Sequence, residues 1–204
     1  MSERAAVVDL VFGVSAGALP GAPQPALAAA VEAALPWLAT TPLAGLHPLA
    51  GVSADATPLP LSRRARLVLR LPRACVPAAL AALQGRELRW PGGWLQLGAA
   101  RCRELLPWST LYAACVAAPA DADELAFLRA AQAELDALEV GGRTICGLAR
   151  RDAAGRCRGR ALMVDQLDAA ASLRLQAHGI GPDRRLGCGL FVPYRSAAAV
   201  GAPA

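Results

Sequence analysis

The order of predicted strands and helices occurs twice along this chain, and that repetition limits the possible folds more than any other feature. In the first half, the order strand, helix, strand, strand, helix, strand falls at residues 7–14, 25–38, 43–49, 66–72, 76–83 and 87–97. In the second half, the same order falls at residues 105–116, 121–139, 144–150, 160–167, 168–178 and 188–192. The strands are predicted from β-branched or alternating residues, and the helices from apolar spacing bounded by glycine or proline.

Two βαββαβ patterns predict two tandem ferredoxin-like (RRM-like) domains of the α+β class, at residues 1–100 and 101–204. Each domain is expected to form an antiparallel sheet with its helices on one face. The other face of each sheet is left bare. Because this topology serves both RNA-recognition modules and metabolic regulators, the fold does not by itself determine the function.

The charge balance indicates a polyanionic partner. The chain of 204 residues carries 21 basic and 16 acidic side chains, and every basic one is arginine. A net positive charge of this kind favours contact with nucleic acid. No stretch is long and apolar enough to span a membrane, and the first residues lack the pattern of a signal peptide. We therefore expect a cytoplasmic protein with no membrane partner.

The cysteines and histidines predict neither a metal site nor a cofactor. The 6 cysteines are scattered without a C-x-x-C pair, and only 2 histidines are present. This pattern does not match the ligand spacing of a zinc site, and it favours free, mostly buried thiols. The chain also lacks a P-loop, a G-x-S-x-G elbow and an H-E-x-x-H motif, so we expect no metal and no cofactor.

A glycine-rich segment near the end of the chain carries the best candidates for phosphate contact. Within residues 179–189, Gly181, Gly187 and Gly189 surround the adjacent pair Arg184 and Arg185. Glycine allows positive φ and close backbone approach, and amide N–H groups and guanidinium groups both suit phosphate oxygens. A helix C-cap followed by a tight turn explains the same residues equally well.

The motifs of the chain, taken together, resemble those of a known family. The segments that carry the likeness are residues 8–12, 45–49, 105–107, 110–112, 172–176 and the glycine-rich stretch with its following strand at 179–191. They resemble the CRISPR-associated RAMP proteins, and most of all the repeat-processing endoribonucleases of the sixth Cas family, in the subtype named MYXAN. The likeness spans nearly the whole chain.

This resemblance implies tandem ferredoxin-like domains and binding of a CRISPR repeat RNA. It also implies metal-independent cleavage within each repeat, with 2′,3′-cyclic phosphate and 5′-hydroxyl ends. Other Cas subunits of an effector complex are the further partners that it suggests. The family places its catalytic histidine in the region of His47, and histidine is the side chain best suited to moving protons near neutral pH. His47 is therefore the predicted catalytic residue.

Several further residues are predicted to contact nucleic acid. Arg63, Arg64 and Arg66 form a basic cluster at the start of a strand, although such a run is just as often a solvated face. Tyr194 stands where the family often has histidine, and its ring could stack on a base. His178, at the end of a helix, is predicted to be structural and is the reserve candidate for catalysis.

The sequence is compatible with two other functions. A non-catalytic RNA-binding subunit of a CRISPR ribonucleoprotein would use the same glycines and arginines but would leave His47 as a packing residue. A small-molecule regulator built on paired ferredoxin-like domains would show no salt-sensitive affinity for RNA.

Overall fold

The computed structural model describes residues 6–16, 18–19, 24–49, 59–61, 65–119, 122–151 and 157–194. The chain divides into two compact units. The first consists of Met1–Leu105 with Arg184–Gly187, and the second of Leu106–Asp183 with Cys188–Ala204. In the described part of the chain, no helix is long and apolar enough to cross a membrane.

The first unit is an antiparallel sheet with two α-helices. Its strands are β1 (Val7–Ser15), β2 (Ala18–Leu19), β3 (Gly45–Leu46), β4 (Leu59–Pro60), β5 (Arg66–Pro72), β6 (Glu87–Trp90) and β7 (Gly93–Glu104). Its α-helices are α1 (Gln24–Ala34) and α2 (Val76–Leu83), and short 3₁₀ helices cover Pro36–Thr40, Arg73–Cys75 and Arg184–Leu186. The sheet has the order β3-β5-β1-β7-β6, while β2 pairs with β4 in a separate ribbon.

Alternation along β1 separates the two faces of this sheet. Val8, Leu10 and Phe12 are fully buried in the hydrophobic core with apolar residues of α1 and α2. Successive side chains of a strand point to opposite faces, so Asp9 and Val11 lie on the face that the helices do not cover. A strand of this composition forms because one face is continuously apolar, while the other face carries the buried Asp9 between the buried Val7 and Val11.

The second unit repeats the arrangement. Its elements are β8 (Leu111–Ala117), α3 (Glu124–Ala137), β9 (Arg143–Arg151), β10 (Cys157–Asp165), α4 (Ala169–His178) and β11 (Val192–Pro193), and the sheet order is β11-β8-β10-β9. Both helices begin at an aspartate that caps the first turn. The Asp123 carboxylate accepts from the Ala126 amide at 2.7 Å, and Asp168 accepts from Ala171 at 2.8 Å.

The strand order confirms the fold class predicted from the sequence. In each unit the first strand lies between the third and fourth strands of the βαββαβ pattern, and the second strand lies at the edge, as in ferredoxin-like domains. The division at 1–100 and 101–204 stays a prediction, and β7 runs through residue 100 as far as Glu104.

Several strands differ from the sequence-based prediction. The strand predicted at 43–49 comprises only Gly45–Leu46, and the one predicted at 160–167 begins at Cys157 and ends at Asp165. The strand predicted at 188–192 comprises only Val192–Pro193, because Gly187 and Gly189 adopt φ values of 87° and 64° that do not fit an extended chain. The strand predicted at 105–116 begins only at Leu111. Before it, the Trp108 amide donates to the Ser172 hydroxyl at 2.9 Å and so is not available to a neighbouring strand.

Candidate functional site

A buried carboxylate lies on the face of the first sheet that α1 and α2 do not cover. Asp9, on β1, is 2% exposed, and its register partners are Arg70 on β5 and Arg103 on β7. Arg70, itself 0% exposed, donates from Nε to Oδ1 at 2.8 Å and from Nη2 to Oδ2 at 3.2 Å. Arg103 donates to Oδ2 at 2.8 Å from a half-exposed position. The carboxylate is thus neutralised from both neighbouring strands.

His47, the predicted catalytic residue, lies beside this carboxylate. Its amide donates to the Val68 carbonyl at 2.9 Å, so the backbone continues the pairing of β3 with β5 for one residue. Its Nε2 atom lies 3.6 Å from Asp9 Oδ1, slightly beyond hydrogen-bond length, and has no hydrogen-bond partner among the described residues. The residue is only 9% exposed.

Burial and neighbouring charges set the protonation of this pair. Burial lowers the pKa of the His47 imidazole below its usual 6.5, and the Arg70 charge acts in the same direction against the attraction of Asp9. Burial alone would raise the pKa of the Asp9 carboxyl. The nearby His47 and Arg70 outweigh burial, however, and hold that pKa well below its usual 3.8. At neutral pH the site therefore combines a neutral imidazole with an ionised carboxylate.

The arginine pair of the glycine-rich segment belongs to the same unit, but its two members differ. Arg184 is half-buried and donates to the Leu43 carbonyl at 3.0 Å and to the Ala44 carbonyl at 3.3 Å. Burial, together with the charge of Arg70, lowers its pKa to about 10, so the guanidinium remains charged near neutral pH. Arg185 is half-exposed and pairs with Glu32 of α1, Nη1 to Oε1 at 3.3 Å.

Two of the predicted glycines are required by close packing. A Cβ at Gly187 would come within 2.7 Å of the Pro48 ring, and a Cβ at Gly189 within 1.9 Å of the Ile180 carbonyl oxygen. Their amides are engaged as well, Gly187 with the Arg184 carbonyl and Gly189 with the Cys115 carbonyl. These glycines therefore shape the turn, and their contact with phosphate stays a prediction.

The other predicted contact residues lie in different places. Gly181 donates its amide to Glu134 at 2.6 Å. Tyr194 is 45% exposed, and its ring lies 5.4 Å from that of Tyr112. His178 is the exposed last residue of α4. Arg63 and Arg64 fall outside the described residues, so only the third member of their cluster can be placed.

That third member, Arg66, lines an open groove on the uncovered face of the first sheet. The groove has a volume of about 570 Å³ and lies between β1, the start of β5 and the middle of β7. Arg66 and Arg101, both exposed, stand on the strands flanking β1, and Gly13 and Gly98 leave the backbone between them bare. Two guanidinium groups beside an uncovered backbone favour an anionic, extended ligand.

Comparison with known proteins identifies the family. Residues 8–196 match the sequence model of a family described as Cas6 Crispr. The chain is also 37% identical, over 195 residues, to the CRISPR-associated endonuclease Cas6 of Myxococcus xanthus (strain DK1622), an alignment that covers 95% of this chain and 84% of that protein. The chain belongs to the Cas6 family.

Solved structures agree with the Cas6 assignment at the level of the fold. A CRISPR-associated protein Cas6 aligns with a TM-score of 0.64 at 12% identity, covering 93% of this chain and 100% of that chain. A Cas6-related protein from Pyrococcus furiosus aligns with a TM-score of 0.58 at 10% identity, covering 91% and 98%. A RAMP protein described as binding different RNA substrates gives 0.59 at 10% identity, covering 90% and 98%.

Sequence reasoning missed several polar residues of this Cas6 chain. Asp9 was visible as the one acidic residue inside an apolar strand, and Arg70 as a charge in the alternating segment 66–72. Nothing in the sequence indicated that Asp9 pairs with Arg70. Nor did it indicate that Arg101 and Arg103 lie on the same face of the sheet as this pair. Among the described residues, no group of three or more histidine, cysteine, aspartate or glutamate side chains is placed to hold a metal ion.

Proposed function

We propose that this Cas6 protein binds CRISPR repeat RNA and cleaves it without a metal ion, as an endoribonuclease that processes precursor crRNA. The internal 2′-hydroxyl of the RNA attacks the adjacent phosphate and the bond from phosphorus to the 5′-oxygen breaks. The departing 5′-oxygen takes up a proton, so the products carry 2′,3′-cyclic phosphate and 5′-hydroxyl ends. One observation carries the proposal: the His47 imidazole lies beside the Asp9 carboxylate on the sheet face that also bears the arginine-lined groove. The name of the Myxococcus relative, a CRISPR-associated endonuclease, supports the same activity.

The proposed chemistry gives each group of the site a defined task. A neutral imidazole can accept the proton of the attacking 2′-hydroxyl, and a lowered pKa keeps His47 in that form at neutral pH. Asp9 stabilises the imidazolium that results, and its own charge is balanced by Arg70. Arg103 binds the same carboxylate, but its side chain is half-exposed to solvent. It is therefore placed to contact a phosphate near His47.

The groove supplies the binding part of the proposal. Arg66 and Arg101 would neutralise successive phosphates of a strand lying along β1, with Gly13 and Gly98 allowing the chain to come close. In the second unit, the Tyr112 and Tyr194 rings offer an aromatic surface for a base. The RAMP protein of similar fold, described as binding different RNA substrates, is consistent with this mode of use.

A second candidate function is favoured by one specific observation. At 9% exposure, His47 offers little surface to a substrate, and Arg184 holds the adjacent segment in place through the Leu43 and Ala44 carbonyls. In a non-catalytic RNA-binding subunit, His47 would serve only to pack against Asp9. The groove and its arginines would keep the same role in both functions.

Cleavage of the cognate repeat RNA in excess EDTA tests the proposal. We expect single-site cutting, products with the two stated ends, and no cutting when the scissile nucleotide carries a 2′-deoxyribose, because the nucleophile is then absent. A matched RNA with the deoxy substitution one nucleotide away is the control and should be cut normally. Tight binding of the repeat without any cutting would select the non-catalytic subunit. Cutting that requires a divalent ion would overturn the metal-independent mechanism.

Two further parts of the proposal concern the setting in which the protein acts. We propose the cytoplasm as its location and other Cas subunits as further partners that receive the processed RNA. Co-purification of the tagged protein from its host, with and without ribonuclease treatment, distinguishes subunits held by protein contact from those held only by RNA.

A further inference from the structure

Two cysteines far apart in the sequence meet in the second unit. Cys115 lies on β8 and Cys188 in the turn between Gly187 and Gly189, and their sulfur atoms are 3.6 Å apart across a separation of 73 residues. Both residues are half-buried and both are free thiols. Sulfur atoms at this distance need to approach by only about 1.5 Å to reach the length of a disulfide bond.

The backbone holds the two thiols in this arrangement. The Gly189 amide donates to the Cys115 carbonyl at 2.8 Å, and the Cys188 amide donates to the Asp183 carbonyl at 3.2 Å. On the other side of Cys115, Gly159 provides the room that its sulfur occupies, because a Cβ at position 159 would come within 2.9 Å of that sulfur. The contact is therefore built into the fold rather than made by two freely moving side chains.

The two thiols have different acidities. The Cys188 thiol donates a hydrogen bond to the Cys115 sulfur, and this bond lowers the pKa of Cys115, with the positive charges of Arg150 and Arg158 acting in the same direction. The same hydrogen bond, together with burial, raises the pKa of Cys188. A thiolate is the reactive form of cysteine. Cys115 is therefore the sulfur that reacts first with an oxidant, and Cys188 is the sulfur that then attacks Cys115.

We propose that Cys115 and Cys188 form a redox-active pair that hydrogen peroxide converts to a disulfide. The Cys115 thiolate attacks one peroxide oxygen, forming an S–O bond as the O–O bond breaks, and the hydroxide released takes up a proton. Cys188 then attacks the sulfenic sulfur, forming the S–S bond and expelling hydroxide, which leaves as water with the Cys188 proton. In sum, two thiols and one hydrogen peroxide give a disulfide and two waters.

Two of the other described cysteines provide the comparison. Cys102 is exposed and reports the reactivity of an accessible thiol. Cys146 lies on β9 in the same unit, its thiol is directed at the Gly147 carbonyl at 3.6 Å, and burial raises its pKa. Oxidation that follows exposure alone would modify Cys102 first, whereas oxidation at the proposed pair selects Cys115.

Peptide mapping of the full-length protein after brief treatment with dilute hydrogen peroxide tests the proposal. We expect a cross-linked peptide joining Cys115 to Cys188, with a mass loss of two hydrogen atoms that a reductant reverses. Cys188→Ser should stop at a sulfenic acid on Cys115 that dimedone traps, because no second thiol is present to resolve it. Cys146→Ser is the matched control and should form the cross-link as the wild type does.

A stability measurement adds an independent check. A disulfide across 73 residues should raise the thermal midpoint of the oxidised wild type by at least about 5 °C over the reduced protein. Cys188→Ser should lose this difference. A cross-link between any other pair of cysteines as the main product would overturn the proposal, and so would faster oxidation of Cys102 with Cys115 and Cys188 left reduced.

Discussion

Arg70 clamps the Asp9 carboxylate with two hydrogen bonds, Nε to Oδ1 at 2.8 Å and Nη2 to Oδ2 at 3.2 Å, although 61 residues separate them in the chain. Both side chains are almost completely buried. A buried carboxylate is tolerated only when it is paired and hydrogen-bonded, so the position of this pair in the sheet is as fixed as that of the apolar core. The properties of His47, which lies beside Asp9, follow from this arrangement.

Removal of the buried guanidinium should destabilise the protein strongly. Arg70→Met leaves Asp9 buried, with Arg103 as its remaining arginine donor among the described residues, and we expect a loss of about 3 kcal/mol in the free energy of unfolding. Arg103→Ala removes a half-exposed partner of the same carboxylate and should cost less than about 1 kcal/mol. Urea denaturation of both variants measures the difference. Equal losses in the two variants would show that burial of the arginine does not determine how much its ion pair with Asp9 stabilises the protein.

Stability should decrease as the pH falls from about 7 to about 5. The folded-state pKa of His47 lies below its usual 6.5, so the unfolded chain binds a proton that the folded protein does not. A second decrease follows below pH 3.8, where the unfolded chain protonates Asp9 first. Urea titrations across this range should show that His47→Gln flattens the upper decrease.

Catalysis should depend on His47 far more than binding does. His47→Ala is expected to slow single-turnover cleavage of repeat RNA by at least about a hundredfold, while affinity stays within a few-fold of wild type, because proton transfer acts on the transition state. His178→Ala serves as the matched histidine variant and should cut normally. Normal cutting by the first variant and loss of cutting by the second would move the catalytic assignment to His178.

The adjacent arginines 184 and 185 should respond differently to substitution. Arg184→Ala removes the donor to the Leu43 and Ala44 carbonyls and should lower the thermal midpoint. Arg185→Ala loses only a half-exposed pair with Glu32, so we expect an unchanged midpoint and a weaker, less salt-sensitive affinity for RNA. Thermal melts and binding isotherms at several salt concentrations separate the two effects. Unchanged RNA affinity in Arg185→Ala would remove this residue from the predicted phosphate contacts.

If RNA binds in the groove, its affinity should depend on salt concentration in a way that can be predicted. If Arg66 and Arg101 each neutralise one phosphate, each alanine variant should reduce the slope of log affinity against log salt by about 0.7 for a single-stranded RNA. Arg129→Ala, on the outside of α3, provides the control and should keep the wild-type slope. Slopes equal to wild type in both groove variants would place the RNA elsewhere.

The fold class was within reach of the sequence, because hydrophobic periodicity is a local property. The alternation at 66–72 indicates which residues share a face of a strand, and the apolar runs of β1 and β8 indicate buried strands. The order of these elements along the chain gives the βαββαβ pattern. Element ends were less well predicted. The φ values of Gly187 and Gly189 end the last strand early, and such values depend on what packs against the turn.

The sequence by itself therefore determined the two ferredoxin-like sheets and singled out His47, Arg184 and Arg185. Only the tertiary structure decided that Asp9 binds Arg70, that Cys115 meets Cys188, and that one of the two adjacent arginines is half-buried while the other is half-exposed. The physical reason is that hydrophobic periodicity depends only on residues that are close together along one helix or strand. The partner of a charge or a thiol is instead set by strand register and loop closure across more than 60 residues.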